Sequence, residues 1–240
     1  MISDRQKSIL AAIIEEFMTN AEEVGSTYLL NKYDLGVSSA TIRNEMVRLM
    51  EEGLLEKSHA SSGRMPTDLA LKLYINENSK LYNMSPMDEI EIKQGIFRVR
   101  FSYEQLVKQL LDILVEKCNT AAFYISDDDR RFYGVSSLMK YEELRNIHVL
   151  ERVLDILEDS NMLRNIFSKH QGEETSVIIG SESGITDFEN CALAFTKVKL
   201  LKGREGHMGV IGSKRLNYSM VVPMLNTLRN SVEQSLQGWM

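Results

Sequence analysis

Residues 37–67, VSSATIRNEMVRLMEEGLLEKSHASSGRMPT, carry the pattern that decides the fold of the N-terminal part of the chain. Ser38 and Ser39 are good helix N-caps, because a hydroxyl accepts hydrogen bonds from the free N–H groups of a first turn. Apolar residues then recur at helical spacing and predict one buried stripe: Ile42, Met46, Leu49 and Met50. Gly53 tolerates the left-handed conformation and is expected to end the helix.

The face opposite this stripe is small and polar at its start and holds two arginines. It carries Ala40, Thr41, Asn44, Val47 and Arg48, with Arg43 on its flank. A helix with such a face suits a major groove about 12 Å wide, where side chains reach the edges of bases.

The flanking residues extend this pattern on both sides. Residues 25–33 read as a short helix and 34–37 as a turn with Gly36, so two helices follow each other in a helix-turn-helix pattern. Residues 54–57 read as a strand, and 61–64 as a turn with Arg64 at its tip. A basic hairpin directly after such a helix indicates a wing that contacts a phosphate or the minor groove. The alternative is an ordinary three-helix core with a surface hairpin.

Residues 24–67 resemble the winged-helix domain of the heat-inducible transcription repressors, the HrcA family, above all in the runs SSATIRNEM and GLLEK-x-H-x-S-x-GR-x-PT. Residues 209–218 (GVIGSKRLNY) and 179–183 (IGSES) resemble two further family segments, with Ser213 where proline is usual and Ser183 where asparagine is usual. The resemblance implies a sequence-specific repressor of heat-shock (chaperone) genes. It also implies an inverted-repeat DNA operator, a homodimer and control by availability of the GroE chaperonin.

The expected DNA contacts fall into three groups. Ser39, Thr41, Arg43 and Asn44, next to the cap at Ser38, are expected to approach base edges. Arg48 and the start of the preceding helix at Ser26 and Thr27 are expected to hold phosphates, although the family usually has a basic residue where Thr27 stands. The strand and wing would contribute Lys57, His59, Ser61, Ser62 and Arg64.

The fold class is therefore expected to be α+β, with a winged helix-turn-helix domain at 1–75, a linker at 76–86 and a second domain at 87–240. The first helix is expected at 3–19, with a capping box of Ser3 and Gln6. The second domain should hold these elements: helices at 86–118 broken near 101–102, 141–158, 160–170 (capped by Ser160) and 217–236, and strands at 120–126, 131–138, 175–180, 191–201 and 207–211. That order predicts an antiparallel sheet with packed helices.

The resemblance implies that this second domain is GAF-like and that the family's inserted dimerisation domain is largely absent. The predicted hairpin ends near residue 138 and the next predicted helix begins at 141, which leaves little room for the insertion between them. A dimer would then use sheet faces, or helices around 102–118 or 141–158.

Composition limits the remaining function classes. The net charge is −6, and residues 1–75 hold eight Lys and Arg against eleven Asp and Glu, so the first domain lacks the overall basic character typical of DNA-binding domains. Cys118 and Cys191 lie in no metal or redox motif, and neither a signal peptide nor an apolar run of membrane length is evident. We therefore expect a cytoplasmic protein that makes no membrane contact.

No catalytic, metal-binding or cofactor motif is expected, so the chain is not predicted to be an enzyme. The acidic triplet 127–129 lacks the spacing of a calcium loop and reads as a solvated turn. The glycines at 206, 209 and 212 do not match a phosphate loop and favour close strand packing.

Two alternative functions stay open. One is a winged-helix regulator controlled by a small-molecule effector in the second domain. The other is an interaction scaffold whose winged helix has lost DNA binding, an option that the acidic first domain and Thr27 keep open.

Overall fold

The fold is taken from a computed structural model of the 240-residue chain. It describes residues 2–20, 22–57, 63–78, 83–170, 172 and 175–237. Contacts between Cα atoms group the chain into two compact units, residues 1–78 and 79–240.

The first unit consists of four helices and a two-stranded antiparallel sheet within the described residues. Its elements are α1 (Asp4–Asn20), α2 (Ser26–Lys32), α3 (Ser39–Glu51), β1 (Leu55–Glu56), β2 (Met65–Pro66) and α4 (Asp68–Asn78). Leu55 pairs with Pro66, and Glu56 with Met65. The core of this unit comes from one face of each helix: Ile9, Leu10, Ile13, Ile14 and Phe17 of α1, Leu29 of α2, Ile42, Met46 and Leu49 of α3, and Ala70, Leu71 and Ile75 of α4.

The start of α1 and the end of α3 have the capping features that the sequence predicts. The Ser3 N–H donates to Oε1 of Gln6 at 2.8 Å and the Gln6 N–H donates to Oγ of Ser3 at 3.3 Å, which confirms the capping box. Gly53 has a φ of 72°, so the residue expected to end α3 does adopt the left-handed conformation. Helix α4 runs to Asn78, three residues into the segment predicted as a linker.

The second unit is a five-stranded antiparallel sheet covered by helices, so the α+β class is confirmed. Its helices are α5 (Pro86–Val99), α6 (Tyr103–Cys118), α7 (Ile147–Glu158), α8 (Ser160–Lys169) and α9 (Tyr218–Ser235). Its strands are β3 (Ala121–Ser126), β4 (Arg130–Tyr133), β5 (Ser176–Ile179), β6 (Cys191–Lys199) and β7 (Glu205–Ser213), in the spatial order β4-β3-β7-β6-β5. Among its described residues are also four short 3-10 segments: Val135–Lys140, Glu142–Leu144, Gly180–Ser183 and Leu201–Gly203.

The sheet of the second unit lies between two helical layers. One face carries Phe123, Leu193 and Phe195, which pack with residues of α7 and α8 into one apolar cluster. The other face lies against α6 and α9, and α5 packs on those two helices. The backbone of Gly209 on β7 approaches β6 and Phe123 so closely that an added Cβ would lie 2.7 Å from the phenyl ring. Close strand packing is therefore the role of this glycine.

Three predicted boundaries in the second unit were wrong. Strand β4 ends at Tyr133 instead of residue 138, because Gly134 turns the chain with a φ of 77° and a 3-10 segment follows. The helix expected from residue 141 begins at Ile147, since the Asn146 side chain accepts from the His148 N–H at 3.0 Å and caps it there. The cap of α8 is Asp159, whose carboxylate accepts from the Asn161 N–H at 2.9 Å, and not Ser160.

Candidate nucleic-acid interface

Helix α3 presents two chemically different faces. Ile42, Met46 and Leu49 are buried against the rest of the first unit. The opposite side is exposed and contains Arg43, Asn44, Val47 and Arg48, with Thr41 partly exposed at the first turn. Arg43, Asn44 and Arg48, three of the side chains expected to contact DNA, therefore share the accessible face of α3.

Hydroxyl groups connect the first turns of α2 and α3. Ser38 caps α3 by accepting from the Thr41 N–H at 3.2 Å. The Oγ atom of Ser39 lies 3.0 Å from Oγ of Ser26 and 3.4 Å from Oγ1 of Thr27. Ser26 is only 6% exposed, so its hydroxyl points at Ser39, whereas Thr27 lies on the surface.

The cation at Arg48 is already engaged within the unit. Glu45 is 6% exposed, and its carboxylate accepts from Nη1 of Arg48 at 3.3 Å and lies 3.8 Å from Nη1 of Arg5. Arg43 is exposed, and no ion pair joins it to another of the described residues. Neither Arg5 nor Glu45 was predicted from the sequence; the position of Glu45 beside Met46 in the buried stripe indicated a buried acid, whereas nothing indicated Arg5.

The hairpin after α3 places its basic residues at its base. Lys57 is exposed just after β1, whereas Arg64 is half-buried and pairs by backbone with Val24, with N···O distances of 2.9 and 3.0 Å in the two directions. An added Cβ on Gly63 would lie 2.7 Å from the backbone of Glu23, so only glycine permits this close approach. The expectation that Arg64 stands at the tip of the turn was wrong, because this bridge holds it at the base. His59, Ser61 and Ser62 lie outside the described residues.

A buried carboxylate network stabilises α1 against α2. Glu16 is 4% exposed and accepts from Tyr28 Oη, Tyr33 Oη and Lys32 Nζ, each at 2.6 Å. Burial alone would raise the pKa of Glu16, but the hydrogen bonds from Lys32 and the two tyrosines outweigh burial and lower the pKa to about 2. The sequence indicates this network because an acid, Glu16, stands three residues after Ile13 on the buried side of α1.

The second unit contains a cavity of about 480 Å³ between α8 and the ends of β3, β6 and β7. Its apolar wall is an aromatic stack in which the rings of Phe167 and His207 are 4.2 Å apart and nearly parallel. Its lining also holds two ion pairs, Arg164 with Asp127 at 3.7 Å and Lys197 with Glu205 at 2.5 Å. Burial, helped by the nearby Lys197 cation, lowers the pKa of His207 to about 4, so this imidazole is neutral at pH 7.

Ser213 and Arg215 both bind the carboxylate of Glu143. The guanidinium of Arg215 binds both carboxylate oxygens of Glu143, with Nε 2.8 Å from Oε1 and Nη2 3.0 Å from Oε2, and the Ser213 hydroxyl donates to the same carboxylate. Both charged side chains are largely buried. This pair ties the end of β7 to the 3-10 segment at Glu142–Leu144.

Within the described ranges, no three His, Cys, Asp or Glu side chains are grouped so that they could hold a metal ion. In the acidic turn, Asp129 binds Tyr103 and Arg131 while Asp127 lies beside Arg164, so the two carboxylates serve different partners. None of the described helices combines the length and hydropathy that a bilayer-crossing segment requires.

Known proteins share the fold and the sequence of this chain. A crystal structure described as that of a hypothetical protein, at 2.2 Å resolution, superposes with a TM-score of 0.82 at 18% identity and covers 100% of both chains, so the fold is shared. A heat-inducible transcription repressor HrcA of Clostridium tetani is 25% identical over 341 aligned residues that cover 99% of this chain and 97% of that protein. The HrcA of Clostridium botulinum (strain Eklund 17B / Type B) is 28% identical over 97% of this chain, which covers only 66% of that relative's length.

The alignment with the Clostridium tetani protein also shows a difference in length. It spans 341 positions, whereas this chain has 240 residues, so at least 101 of the aligned positions (341 − 240) have no residue in this chain. The family model of the HrcA protein C terminal domain matches residues 35–222. The chain therefore belongs to the HrcA family of heat-inducible transcription repressors.

Proposed function

We propose that this protein is a sequence-specific DNA-binding repressor of chaperone genes that binds an inverted-repeat operator as a dimer. In this proposal residues 1–75 form a winged helix-turn-helix domain, residues 76–86 join the two domains, and residues 87–240 form a GAF-like regulatory and dimerisation domain. The observation that carries the proposal is the exposed polar and basic face of α3 in a member of a repressor family.

The roles of the DNA-facing side chains follow from their surroundings. Arg43 and Asn44 are exposed on α3 and have the chemistry to read guanine and adenine edges. Ser39 and Thr41 contact bases from the first turn, and Ser26 positions Ser39 through their 3.0 Å hydrogen bond.

The remaining contacts go to the phosphate backbone. Thr27, Lys57 and Arg48 bind phosphates, and Arg48 exchanges part of its interaction with Glu45 when it does so. His59, Ser61 and Ser62 of the wing and Arg64 at its base complete the interface.

Two copies of the chain are required because one copy brings few cations to the DNA. Each phosphate neutralised contributes a term of about −0.9 to the slope of log K against log salt, so three or four contacts per copy give a shallow dependence. A two-fold operator read by a two-fold dimer doubles those contacts without any further basic residue. The GroE chaperonin is the proposed partner that controls the supply of active dimer.

The test is fluorescence anisotropy with a labelled inverted-repeat duplex and a scrambled duplex at two salt concentrations. We expect tight binding of the repeat with two chains per duplex, and a loss of about 1–3 kcal/mol for Arg43→Ala. The matched control is Lys7→Ala, which removes one exposed cation on α1 that is paired with Glu77 of α4. Equal binding to both duplexes, or equal losses for the two variants, would contradict the proposal and favour an interaction scaffold.

A second candidate function rests on the cavity beside α8. Its volume of about 480 Å³ lies in the range of small-molecule sites, and it combines an aromatic wall with two ion pairs, Arg164 with Asp127 and Lys197 with Glu205. A planar carboxylate would fit as an effector by replacing one of these acids as the partner of its cation. Benzoate, used as a simple aromatic carboxylate, would support this function if it raises the melting temperature of the wild type but not of Arg164→Ala.

A further inference from the structure

Glu45 is a buried acid on α3 whose carboxylate lies beside two arginines from different helices. Its side chain is 8% exposed, whereas those of Arg5 on α1 and Arg48 on α3 are 53% and 63% exposed. The Nη1 atom of Arg48 lies 3.3 Å from Oε1 and 3.4 Å from Oε2 of Glu45. The Nη1 atom of Arg5 lies 3.8 Å from Oε1, within ion-pair distance but beyond a hydrogen bond. Either cation can therefore neutralise the same carboxylate.

Burial makes this carboxylate dependent on a nearby cation. A buried charge that loses its only partner destabilises the fold strongly, because it has been removed from water and nothing compensates for that. If Arg48 were the sole partner of Glu45, its movement to a DNA phosphate would leave such a charge behind. Arg5 removes this obstacle, since it lies on α1 and can stay with Glu45 when Arg48 leaves.

The geometry of the Arg48 pair is that of an exchangeable contact. Arg48 shares one nitrogen between both oxygens of Glu45 at 3.3 and 3.4 Å. By contrast, Arg215 binds Glu143 through two nitrogens at 2.8 and 3.0 Å, and its side chain is only 11% exposed. Short bonds from two nitrogens are the strong form of this interaction, and long contacts of an exposed guanidinium are weak. Arg48 can therefore exchange its partner at low cost.

The cation that leaves Glu45 is the one on the exposed face of α3. Arg48 shares that face with Arg43 and stands one turn after Asn44. We propose that Arg5 is a positioning residue for DNA binding, which takes over the carboxylate of Glu45 and so releases Arg48 to bind a phosphate. This inference rests on the proposed function, and it gives α1 a part in an interface otherwise formed by α2, α3 and the hairpin.

The first experiment tests the shared carboxylate without DNA. Thermal unfolding of the full chain is compared for the wild type, Arg5→Met, Arg48→Met and the double variant at neutral pH. Each single substitution should lower the melting temperature only slightly, because the remaining arginine still neutralises Glu45. The double variant should lose more than the sum of the two, by about 5 °C or more. Losses that simply add would overturn the inference, because the two cations would then act independently.

The second experiment measures the salt dependence of binding to the labelled inverted-repeat duplex. Arg48→Met should reduce the slope of log K against log salt by about 0.9 for each copy bound, the value of one phosphate contact. Arg5→Met should reduce it by nearly as much, because Arg48 then stays with Glu45. Each variant should bind about tenfold more weakly per copy at about 0.1 M salt. The matched control is Lys7→Met, which removes a neighbouring exposed cation of α1 that pairs with Glu77 and should leave the slope unchanged.

Two combined variants separate positioning from direct contact. The double variant of Arg5 and Arg48 should lose no more of the slope than Arg48→Met alone, whereas a loss twice as large would show that Arg5 itself binds a phosphate. Arg5→Met combined with Glu45→Gln should recover the wild-type slope, because no carboxylate then holds Arg48. An unchanged slope for Arg5→Met, or failure of this recovery, would overturn the inference alone. A wild type that binds the repeat and the scrambled duplex equally would instead refute the proposed function.

Discussion

Replacing Glu16 by glutamine tests whether the buried carboxylate network stabilises the first unit. The substitution keeps the shape of the side chain and removes the charge that accepts hydrogen bonds from Tyr28, Tyr33 and Lys32. The difference between a pKa of 4.5 in the unfolded chain and about 2 in the folded one corresponds to about 3 kcal/mol at neutral pH. Because Lys32 is about half exposed and regains water, we expect a net loss of about 2–3 kcal/mol.

The loss of stability in Glu16→Gln should depend on pH in one direction, because the pKa of Glu16 is lowered in the folded state. The folded-state pKa of Glu16 is depressed, so its stabilisation is fully present above about pH 4.5 and disappears as the pH falls toward 2. Thermal unfolding followed by calorimetry at pH 7 should show the transition of the first unit lowered by about 10–20 °C in Glu16→Gln, from the usual relation between free energy and melting temperature for a unit of this size. At pH 3.5 the difference from the wild type should be smaller.

The control for this measurement is Glu15→Gln. It removes the same charge from the adjacent, exposed position of α1, where the nearest polar partner is Tyr33 at 3.4 Å. Equal shifts for the two variants, or a difference that does not shrink in acid, would refute the reasoning that the carboxylate and its three donors stabilise the fold.

Two further substitutions test the second unit. Glu143→Gln should lower its unfolding free energy by about 3 kcal/mol, because Arg215 is left buried without a counter-charge, whereas the exposed Glu142→Gln should have little effect in the same urea titration. Gly209→Ala should prevent normal packing of β7, with loss of the cooperative thermal transition, because its Cβ would overlap strand β6 and a core phenyl ring. Gly95→Ala in α5 is its control and should be neutral or stabilising, since its Cβ meets only the flexible end of Gln109 at 3.4 Å.

Sequence patterns predicted the elements of this fold better than their ends. The stripe of α3, its cap at Ser38 and its stop at Gly53 are all local features, and the structure has each of them. The predicted long helix from residue 141 failed because periodicity continues across a break that the Asn146 cap imposes. The spacing of apolar residues identifies the buried face of a helix, whereas capping side chains and residues with positive φ angles determine where the helix begins and ends.

The partners of charged residues were not predictable from the sequence. Glu45 and Arg48 are neighbours on α3, but Arg5 joins them from α1, and Glu143 meets Arg215 across more than seventy residues. Such pairs depend on tertiary contacts that no spacing encodes.

The overall charge of the first unit is a poor guide to its surface, and the network of ion pairs shows why. Two of its acids, Glu16 and Glu45, are buried and neutralised by Lys32, Arg5 and Arg48, so they contribute little to the field at the exposed face of α3. The same pairs also occupy three of the unit's eight cations. Under the proposed function, a single copy is therefore left with few cations for DNA, and a second copy on the same site would raise the affinity.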